Sequence, residues 1–337
     1  MQFMLSDEQP ALADAVRTLL AGACPVATLR AAWCSSDGSA GDSLCASLWA
    51  DLAGIGLLGA MVPQAAGGLG LDETDLLPVL EEVGYAAVPL PVAETAAVAV
   101  PLLTQAGDPG GQLHGIVAGA TRVALATGSD LIPYGCRADL VLCLRGGTAR
   151  LVAPTAREPV ATVDGSRAAA LVVLPDGGLV SSDPRLVELA LARADLVTAA
   201  QLIGLGRRML DLTIGYVRER RQFGAAVGSF QAVKHPLADA LLRLEFARPA
   251  VLAAGSALAL GEPTALRDVS AAVLLAGTAA RLAARTAIQC HGAIGYTVEY
   301  DLHLYAKRSW ALAASCDTDA HLARLADSLD LRGGGCG

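Results

Sequence analysis

Arginine, glutamine and phenylalanine side chains are concentrated between Glu219 and His235, in the sequence ERRQFGAAVGSFQAVKH. Helical patterns lead into this stretch and out of it, and Gly224 and Gly228 break it into a short turn. Arginine donates charge-assisted hydrogen bonds to phosphate, and a primary amide both donates and accepts. The stretch could therefore hold an anionic, ring-bearing ligand, or it could be a solvated corner between two helices.

The same stretch resembles the Arg-x-x-Phe-Gly…Phe-Gln signature of the acyl-CoA dehydrogenase family. The downstream sequence QCHGAIGY, from Gln289 to Tyr296, resembles that family's second signature, Gln-x-x-Gly-Gly-x-Gly-Phe/Tyr. The two match in order and spacing, and the resemblance covers nearly the whole chain. In the family, both motifs reach across a dimer interface and hold the pyrophosphate and adenosine of FAD bound mainly by the neighbouring subunit.

The resemblance implies that ten residues of this chain contact FAD. They are Arg220, Gln222, Phe223, Val227, Phe230, Gln231, Gln289, His291, Gly292 and Ala293. Arg220 is expected to pair with the pyrophosphate, and a glycine at 292 is suitable because a missing Cβ lets the backbone approach a phosphate closely. Ala293 departs from the usual second glycine. Alternatively, these residues only fix helix corners at a dimer interface.

Desaturation of an acyl-CoA needs a carboxylate within hydrogen-bond reach of the α-proton. Most family members place a glutamate where this sequence has Cys316, and a thiol buried among alanines is a poor base at neutral pH. Asp317 follows directly, but its position predicts an N-terminal carboxylate for the last helix. A minority of the family places the base on the first bundle helix, which corresponds here to Ala194, beside Asp195. Asp195 and Asp317 are therefore the only candidate bases, and neither occupies a position at which the family places its base.

The chain thus keeps the motifs that serve a neighbour and lacks the base that would serve itself. This combination resembles the short subunits of actinobacterial heteromeric acyl-CoA dehydrogenases. In those α2β2 assemblies a homologous partner supplies the base and most flavin contacts, and CoA thioesters of bulky acids, including steroid side chains, are common substrates. The resemblance also implies an electron-transfer flavoprotein or similar acceptor. Two alternatives are a self-sufficient homomeric dehydrogenase that uses Asp195 or Asp317, and a structural scaffold without flavin.

The elements that must position these residues are mainly helical, with a small β domain, as in an acyl-CoA dehydrogenase-like fold. We predict an N-terminal helical domain over residues 1–112, a reduced, antiparallel middle β domain over 113–182, a C-terminal four-helix bundle over 183–330 and a disordered tail over 331–337. Helices are predicted at 5–21, with Ser6 as N-cap, and at 44–58, 72–83, 93–105, 185–220, 231–260, 263–290, 300–315 and 317–329. Strands are predicted at 123–126, 140–144, 150–153 and 170–174.

The composition narrows the class of protein. Hydrophobic residues make up 53% and charged residues 17%, with a mean hydropathy of +0.47, which predicts that helix surface is buried between subunits. A net charge of −8 without a basic stripe argues against nucleic acid as a partner. Eight cysteines without Cys-x-x-Cys pairs predict reduced thiols and no metal site. The longest uncharged apolar run, 95–106, is too short to span a bilayer, and no leader is evident, so we expect a cytoplasmic protein.

Overall fold

The computed structural model describes residues 8–33 and 41–330; the predicted N-cap Ser6 and the tail at 331–337 lie outside them. The α-helices are α1 (Glu8–Ala23), α2 (Val26–Trp33), α3 (Asp42–Gly54), α4 (Glu73–Tyr85), α5 (Val100–Ala106), α6 (Leu113–Val117), α7 (Pro184–Glu219), α8 (Gln231–Ala259), α9 (Ala265–His291), α10 (Leu302–Ser315) and α11 (Thr318–Ser328). The strands are β1 (Val123–Ala126), β2 (Leu131–Ile132), β3 (Leu140–Arg145), β4 (Thr148–Val152), β5 (Ala156–Pro159), β6 (Ala170–Val173), β7 (Leu179–Ser181), β8 (Arg221–Gln222) and β9 (Ala225–Ala226). The predicted mainly helical fold with a small β region is confirmed.

One compact unit comprises, among the described residues, 8–33, 41–79 and Val88–Val197. It contains a four-stranded sheet, in the order β1–β3–β4–β7, and a three-stranded sheet, in the order β2–β6–β5. One core draws on both sheets and is formed by Ala124, Ala126, Ile132, Tyr134, Ala138, Val141, Ala170 and Val172. Burial alternates along β6 because successive side chains of a strand point to opposite faces.

The sheets are not wholly antiparallel, and the prediction was wrong for one strand pair. β1 runs parallel to β3, with Val123 opposite Leu140, whereas the other described pairs are antiparallel. Between β1 and β3 the chain forms β2, which joins the other sheet. Parallel neighbours need such a crossover of about a dozen residues or more. The apolar runs identify strands but carry no information about the direction in which two distant runs pair.

A π-helical segment, Glu94–Ala99, leads into α5 within the predicted helix at 93–105. Its buried Thr95 hydroxyl donates to the Val123 carbonyl oxygen at 3.2 Å and accepts from the Val123 amide at 3.3 Å. One hydroxyl therefore satisfies both backbone groups of the residue that opens β1. This contact fixes where the sheet begins relative to the helices of the same unit.

The second compact unit comprises Leu80–Ala87 and, among the described residues, 198–330. In it α9 packs most extensively against α8, and also against α10 and α11. The buried face of α9 consists mainly of alanine. Eight of its buried residues are alanines, and Ser270 and Gly277 are buried as well, so small side chains let the neighbouring helices pack closely. The predicted bundle helices are confirmed, with ends that differ from the prediction by one or two residues.

Two glycines let α4 and α7 cross closely within this unit. A Cβ at Gly204 would overlap the Glu81 carbonyl oxygen, and a Cβ at Gly84 would overlap the Gln201 carbonyl oxygen. Any side chain at either position would push the two backbones apart. The crossing therefore requires glycine on both helices.

Two buried glutamates of α4 are neutralised by arginines at the same crossing. Glu81 accepts from Arg248 of α8 at 2.8 Å, and Glu82 accepts from Arg207 of α7 at 3.1 Å. Burial raises the pKa of Glu81, and the positive charge of Arg248 opposes that rise. Each of these buried carboxylates has a guanidinium within hydrogen-bond distance. Removal of one partner of a pair would leave a buried charge uncompensated and would destabilise the helix crossing.

One helical segment among the described residues, Ala265–Tyr296, is long and apolar enough to cross a bilayer by length and composition, and 56% of its most apolar window is buried inside the chain. The bent pair Ala11–Ala23 and Val26–Trp33 passes the same test together. A core helix of a bundle satisfies this test as readily as a membrane span.

The predicted domain boundaries at 112 and 182 stay a prediction.

Candidate functional site

The stretch from Arg220 to Phe230 forms a small hairpin after α7. β8 and β9 pair antiparallel, with Arg221 opposite Ala226, and the Val227 amide donates to the Arg220 carbonyl oxygen at 2.8 Å. The connecting residues Phe223 and Gly224 have φ values of 52° and 78°. A two-residue turn with two positive φ values matches the right-handed twist of a hairpin, and glycine suits the second position.

The hairpin directs its functional side chains away from the chain. Phe223 is 93% exposed, and its ring lies edge-on to Phe230 with 6.2 Å between centroids. Arg220 and Gln222 are exposed as well. A positive φ is costly for phenylalanine, so the turn holds a bulky ring in a strained conformation on the surface. Such a ring, next to arginine, is suited to stacking on a planar ligand.

The second motif forms a corner after α9. The helix ends at His291, and Gly292–Tyr296 follows as one 3-10 turn. Gly292 has φ 66° and ψ −140°, a combination that residues with a Cβ avoid. A Cβ at this position would meet nothing within 4 Å, so the surroundings are open and only the backbone conformation demands glycine. An open, side-chain-free backbone is what a phosphate group can approach closely.

An aromatic cluster joins the end of α7 to the end of α9; in it His291 is buried, and Tyr216 and Tyr300 are half-buried. The His291 ring stacks on Tyr216, with 4.4 Å between centroids and 22° between planes, and lies 4.7 Å from the Tyr300 ring. Tyr216 is one helical turn before Arg220, whose amide donates to the Tyr216 carbonyl oxygen at 2.9 Å. The cluster therefore connects the hairpin to the glycine corner and brings the two sequence motifs into one structural region.

The residues predicted to contact FAD differ in their exposure. Those that are exposed are Arg220, Gln222, Phe223, Phe230, Gln231, Gln289 and Ala293; Val227 and Gly292 are half-buried, and His291 is 4% exposed. The His291 side chain is thus packed inside the unit, and only its backbone could touch a ligand at the surface. Contact of these residues with a cofactor stays a prediction.

The turn between α10 and α11 contains Cys316, at the position that the resemblance assigns to the base. The Cys316 sulfur lies 3.7 Å from the Leu312 carbonyl oxygen, and Asp317 caps α11 by accepting from the Ala320 amide at 3.0 Å. The predicted N-terminal role of Asp317 is confirmed. A cavity of about 510 Å³ opens beside this turn and is lined by Arg281, Trp310 and the residues from Cys316 to Asp319, among others. Its only carboxylates come from Asp317 and Asp319, on the α11 side.

The other candidate base, Asp195, lies half-buried on α7 in the unit that contains the sheets. Two residues earlier, the buried Arg193 donates to Glu73 at 2.7 Å and to Gln105 at 3.1 Å. The cation near Asp195 is therefore engaged by α4 and α5. Among the described residues, no group of three or more histidine, cysteine, aspartate or glutamate side chains is placed to hold a metal ion.

Sequence reasoning missed Tyr216 and Tyr300, which build the aromatic cluster. Tyr216 lies four residues before Arg220, so a helix brings it under the start of the hairpin, and this spacing is a signal that could have been used. Tyr300 was predicted as the first residue of the helix at 300–315, but α10 begins at Leu302 and Tyr300 lies in the irregular segment before it. Its proximity to His291 depends on how the bundle helices pack.

The comparisons with known proteins agree with the geometry. Residues 6–110 match the family described as acyl-CoA dehydrogenase, N-terminal domain, and residues 185–314 match acyl-CoA dehydrogenase, C-terminal domain. The chain is 32% identical to the acyl-CoA dehydrogenase IpdE2 of Mycobacterium tuberculosis over 323 residues, covering 96% of this chain and 97% of that protein. The chain belongs to the acyl-CoA dehydrogenase family.

Solved structures show the same fold. The Tcur3481–Tcur3483 steroid ACAD superposes with a TM-score of 0.83 at 26% identity, covering 98% of this chain and 99% of that one. The ChsE4–ChsE5 complex from Mycobacterium tuberculosis superposes with a TM-score of 0.81 at 23% identity, with the same coverage, and shows the fold alone. FAD is the cofactor of the family. The exposed Arg220 and Phe223 and the open backbone at Gly292 fit its phosphates and rings.

Proposed function

We propose that this chain is one subunit of a heteromeric, FAD-dependent acyl-CoA dehydrogenase that introduces an α,β double bond into an acyl-CoA. It contributes contacts to the pyrophosphate and adenosine of FAD, while a homologous partner subunit supplies the base. The observation that carries the proposal is a contrast between two turns. The hairpin exposes Arg220 and Phe223, whereas the family's base position is occupied by Cys316 and the adjacent Asp317 is engaged in a helix cap.

The role of each described residue follows from its chemistry. When bound, FAD supplies the hydride acceptor for the desaturation. Arg220 neutralises and holds the pyrophosphate by charge-assisted hydrogen bonds, and Phe223 packs against a ring of the cofactor. The open backbone at Gly292 approaches a phosphate oxygen. The α-proton is removed by a carboxylate of the partner, because this chain offers none at the family's position.

An exposed apolar face supports the presence of a partner subunit. The first half of α8 exposes Leu241, Leu242 and Phe246, the last at 71%. Large apolar side chains grouped on one helix face indicate a protein interface. We propose that this face packs on a homologous subunit in an α2β2 assembly in the cytoplasm, with an electron-transfer flavoprotein or similar acceptor.

The substrate class is proposed from the relatives. IpdE2 is named an acyl-CoA dehydrogenase, and the 26% identical solved structure is described as a steroid ACAD. We therefore propose the CoA thioester of a bulky acid, such as a steroid side chain, as substrate. Turnover of a panel of acyl-CoA thioesters by the assembled complex, from short straight chains to steroid side chains, tests this. Preference for short straight chains would contradict it.

The flavin content of the complex after Arg220→Ala tests the proposed role directly. Loss of a charge-assisted hydrogen bond to a phosphate costs about 1.5–3 kcal/mol, so FAD is expected to bind roughly ten- to a hundredfold more weakly. Arg157→Ala, which removes an exposed arginine of β5 away from the hairpin and from the proposed interface on α8, is the matched control and should retain flavin. An Arg220→Ala complex with its full flavin content would favour the scaffold alternative, in which the chain only supports its partner.

A second candidate function rests on the cavity beside Cys316. Because Asp317 lines this cavity, a self-sufficient homomeric dehydrogenase could use it as base. This alternative predicts that the chain alone oxidises an acyl-CoA and that Asp317→Asn abolishes turnover. The same test applies to Asp195→Asn. The proposed heteromeric enzyme predicts that both variants leave the turnover of the complex unchanged.

A further inference from the structure

The imidazole of His291 is buried with only one of its two nitrogens bonded. Nδ1 lies 2.8 Å from the Ala287 carbonyl oxygen, one turn earlier in α9. Because a carbonyl oxygen only accepts, Nδ1 must carry the proton, and Nε2 is left as an acceptor. Nε2 is buried and has no hydrogen-bond partner among the described residues. Native proteins rarely leave a buried acceptor unsatisfied, so this one requires an explanation.

The surroundings of the ring are aromatic and do not offer Nε2 a compensating bond. The Tyr216 hydroxyl is directed to the His291 carbonyl oxygen, and the Tyr300 hydroxyl to the Leu212 carbonyl oxygen, each at 3.5 Å. Burial lowers the pKa of His291, and the bond to Ala287 opposes that effect. A neutral ring between two tyrosines could be replaced by phenylalanine without losing its packing. Packing of the ring alone therefore does not require its two nitrogens.

We propose that His291 is a positioning residue for the cofactor-contacting corner at Gly292. Its bond to Ala287 fixes the rotation of a ring that stacks on Tyr216. The fixed ring in turn holds the backbone at Gly292 in a constant position relative to the Arg220 hairpin. The inference rests on the proposed function. Two contacts of the His291 side chain define the position and rotation of its ring. The stack connects α9 to α7, and the bond to Ala287 prevents the ring from turning within the stack.

On this proposal, the nitrogens of His291 affect the stability of the chain and its cofactor binding in opposite directions. The unsatisfied Nε2 disfavours the folded state, because a buried acceptor loses its bond to water. On the proposal, the rotation of the His291 ring sets the conformation of the next residue, Gly292, whose φ of 66° and ψ of −140° are accessible to little besides glycine.

Two substitutions separate the two contacts in the flavin-bound complex formed with the homologous partner. His291→Phe keeps a flat ring and removes both nitrogens, whereas His291→Asn keeps an amide that can donate to Ala287 and removes the stacked ring. We expect His291→Phe to leave the melting temperature unchanged or higher and to raise the dissociation constant of FAD about tenfold, equivalent to about 1.4 kcal/mol. We expect His291→Asn to lower the melting temperature and to weaken FAD binding as well.

FAD binding is measured by titration with FAD itself, and melting by a signal independent of flavin. A His291→Phe complex that binds FAD within about twofold of the wild type overturns the inference, since a packing role alone then suffices. FAD affinity that falls only in proportion to melting temperature across both variants overturns it too. Arg220→Ala distinguishes failure of this inference from failure of the proposed function. If that variant loses flavin while His291→Phe keeps it, only the positioning role of His291 fails. If Arg220→Ala keeps flavin, the proposed function fails and the inference falls with it.

Discussion

The hairpin after α7 and the turn after α10 both end long bundle helices, but they use their polar residues in opposite ways. The hairpin exposes Arg220 and a strained Phe223, and none of the backbone hydrogen bonds that close it needs either side chain. The turn after α10 uses its carboxylate for structure, since Asp317 caps α11. The first region therefore has functional groups available to a ligand or partner. In the second region the carboxylate next to Cys316, that of Asp317, has a structural task.

The difference is what the proposed division of roles between two subunits predicts. A helix cap needs only a short side chain with an oxygen, so the presence of Asp317 beside Cys316 requires no catalytic role. Phe223 is 93% exposed and its ring lies against that of Phe230, so packing within the chain offers little to offset the cost of its positive φ. The hairpin is thus the clearer functional signal of the two regions.

The largest expected effect is on the exposed ring. Phe223→Ala removes the ring and should weaken FAD binding or partner association by about 2 kcal/mol, roughly thirtyfold, as for a buried aromatic anchor at an interface. Phe223→Asn is the control for the turn, because asparagine tolerates a positive φ while it also lacks the ring. Isothermal titration of the complex with FAD measures the effect. Equal binding by Phe223→Ala and wild type would mean that the ring has no external contact.

The next effect concerns the glycine corner. Gly292→Ala introduces a Cβ where φ is 66°, and the conformational strain should cost on the order of 1–2 kcal/mol. The space around position 292 is open, so the cost comes from the backbone and not from a clash. FAD affinity of the complex should fall together with the melting temperature. Gly277→Ala, in α9, has equally open space without a positive φ and should be neutral or slightly stabilising.

A smaller effect is expected at the structural turn. Asp317→Ala removes the cap of α11 and should lower the free energy of unfolding by about 1 kcal/mol, while Asp317→Asn preserves much of the cap. Neither substitution should change the kcat of the complex. A large loss of kcat in Asp317→Asn, at unchanged stability, would reverse the comparison and identify this turn as the catalytic one.

The smallest effect is on the pH dependence of stability. Burial lowers the pKa of His291 below its usual value of 6.5. At pH values between the lowered pKa and 6.5, the unfolded chain therefore takes up a proton that the folded chain does not. Stability should therefore be fully present above pH 6.5 and should fall as the pH drops toward the lowered pKa. Melting curves of wild type and His291→Phe between pH 7.5 and about 5 check this. Identical pH dependence in the two proteins would show that another group is responsible.

The sequence predicted the long elements well because their signals are local. The apolar periodicity from Arg185 onward located α7 to α11, and turn residues marked β1, β3, β4 and β6. Asp317 was correctly predicted as a helix cap because capping depends on neighbouring residues alone. The two FAD motifs were found by their resemblance to a family, and their local geometry, a hairpin and a glycine corner, follows from Gly224 and Gly292.

What escaped the sequence depends on contacts between distant segments. The parallel pairing of β1 with β3 needs a crossover whose path no local pattern records. His291 was predicted to contact FAD, but the packing of α7, α9 and Tyr300 buries its ring. The crossing of α4 and α7 depends on Gly84 and Gly204, which are 120 positions apart, and each alone would be counted as a helix-weakening glycine.

The flavin absorbance spectrum of the purified chain, alone and after co-expression with a candidate partner of the same fold, tests the central claim most directly. A colourless chain and a yellow complex with about one FAD for each pair of subunits is the expected result, because the chain holds only one end of a shared cofactor. A chain that is already yellow when purified alone and bleaches on addition of an acyl-CoA would contradict the shared site. The search for a base would then return to Asp195 and Asp317.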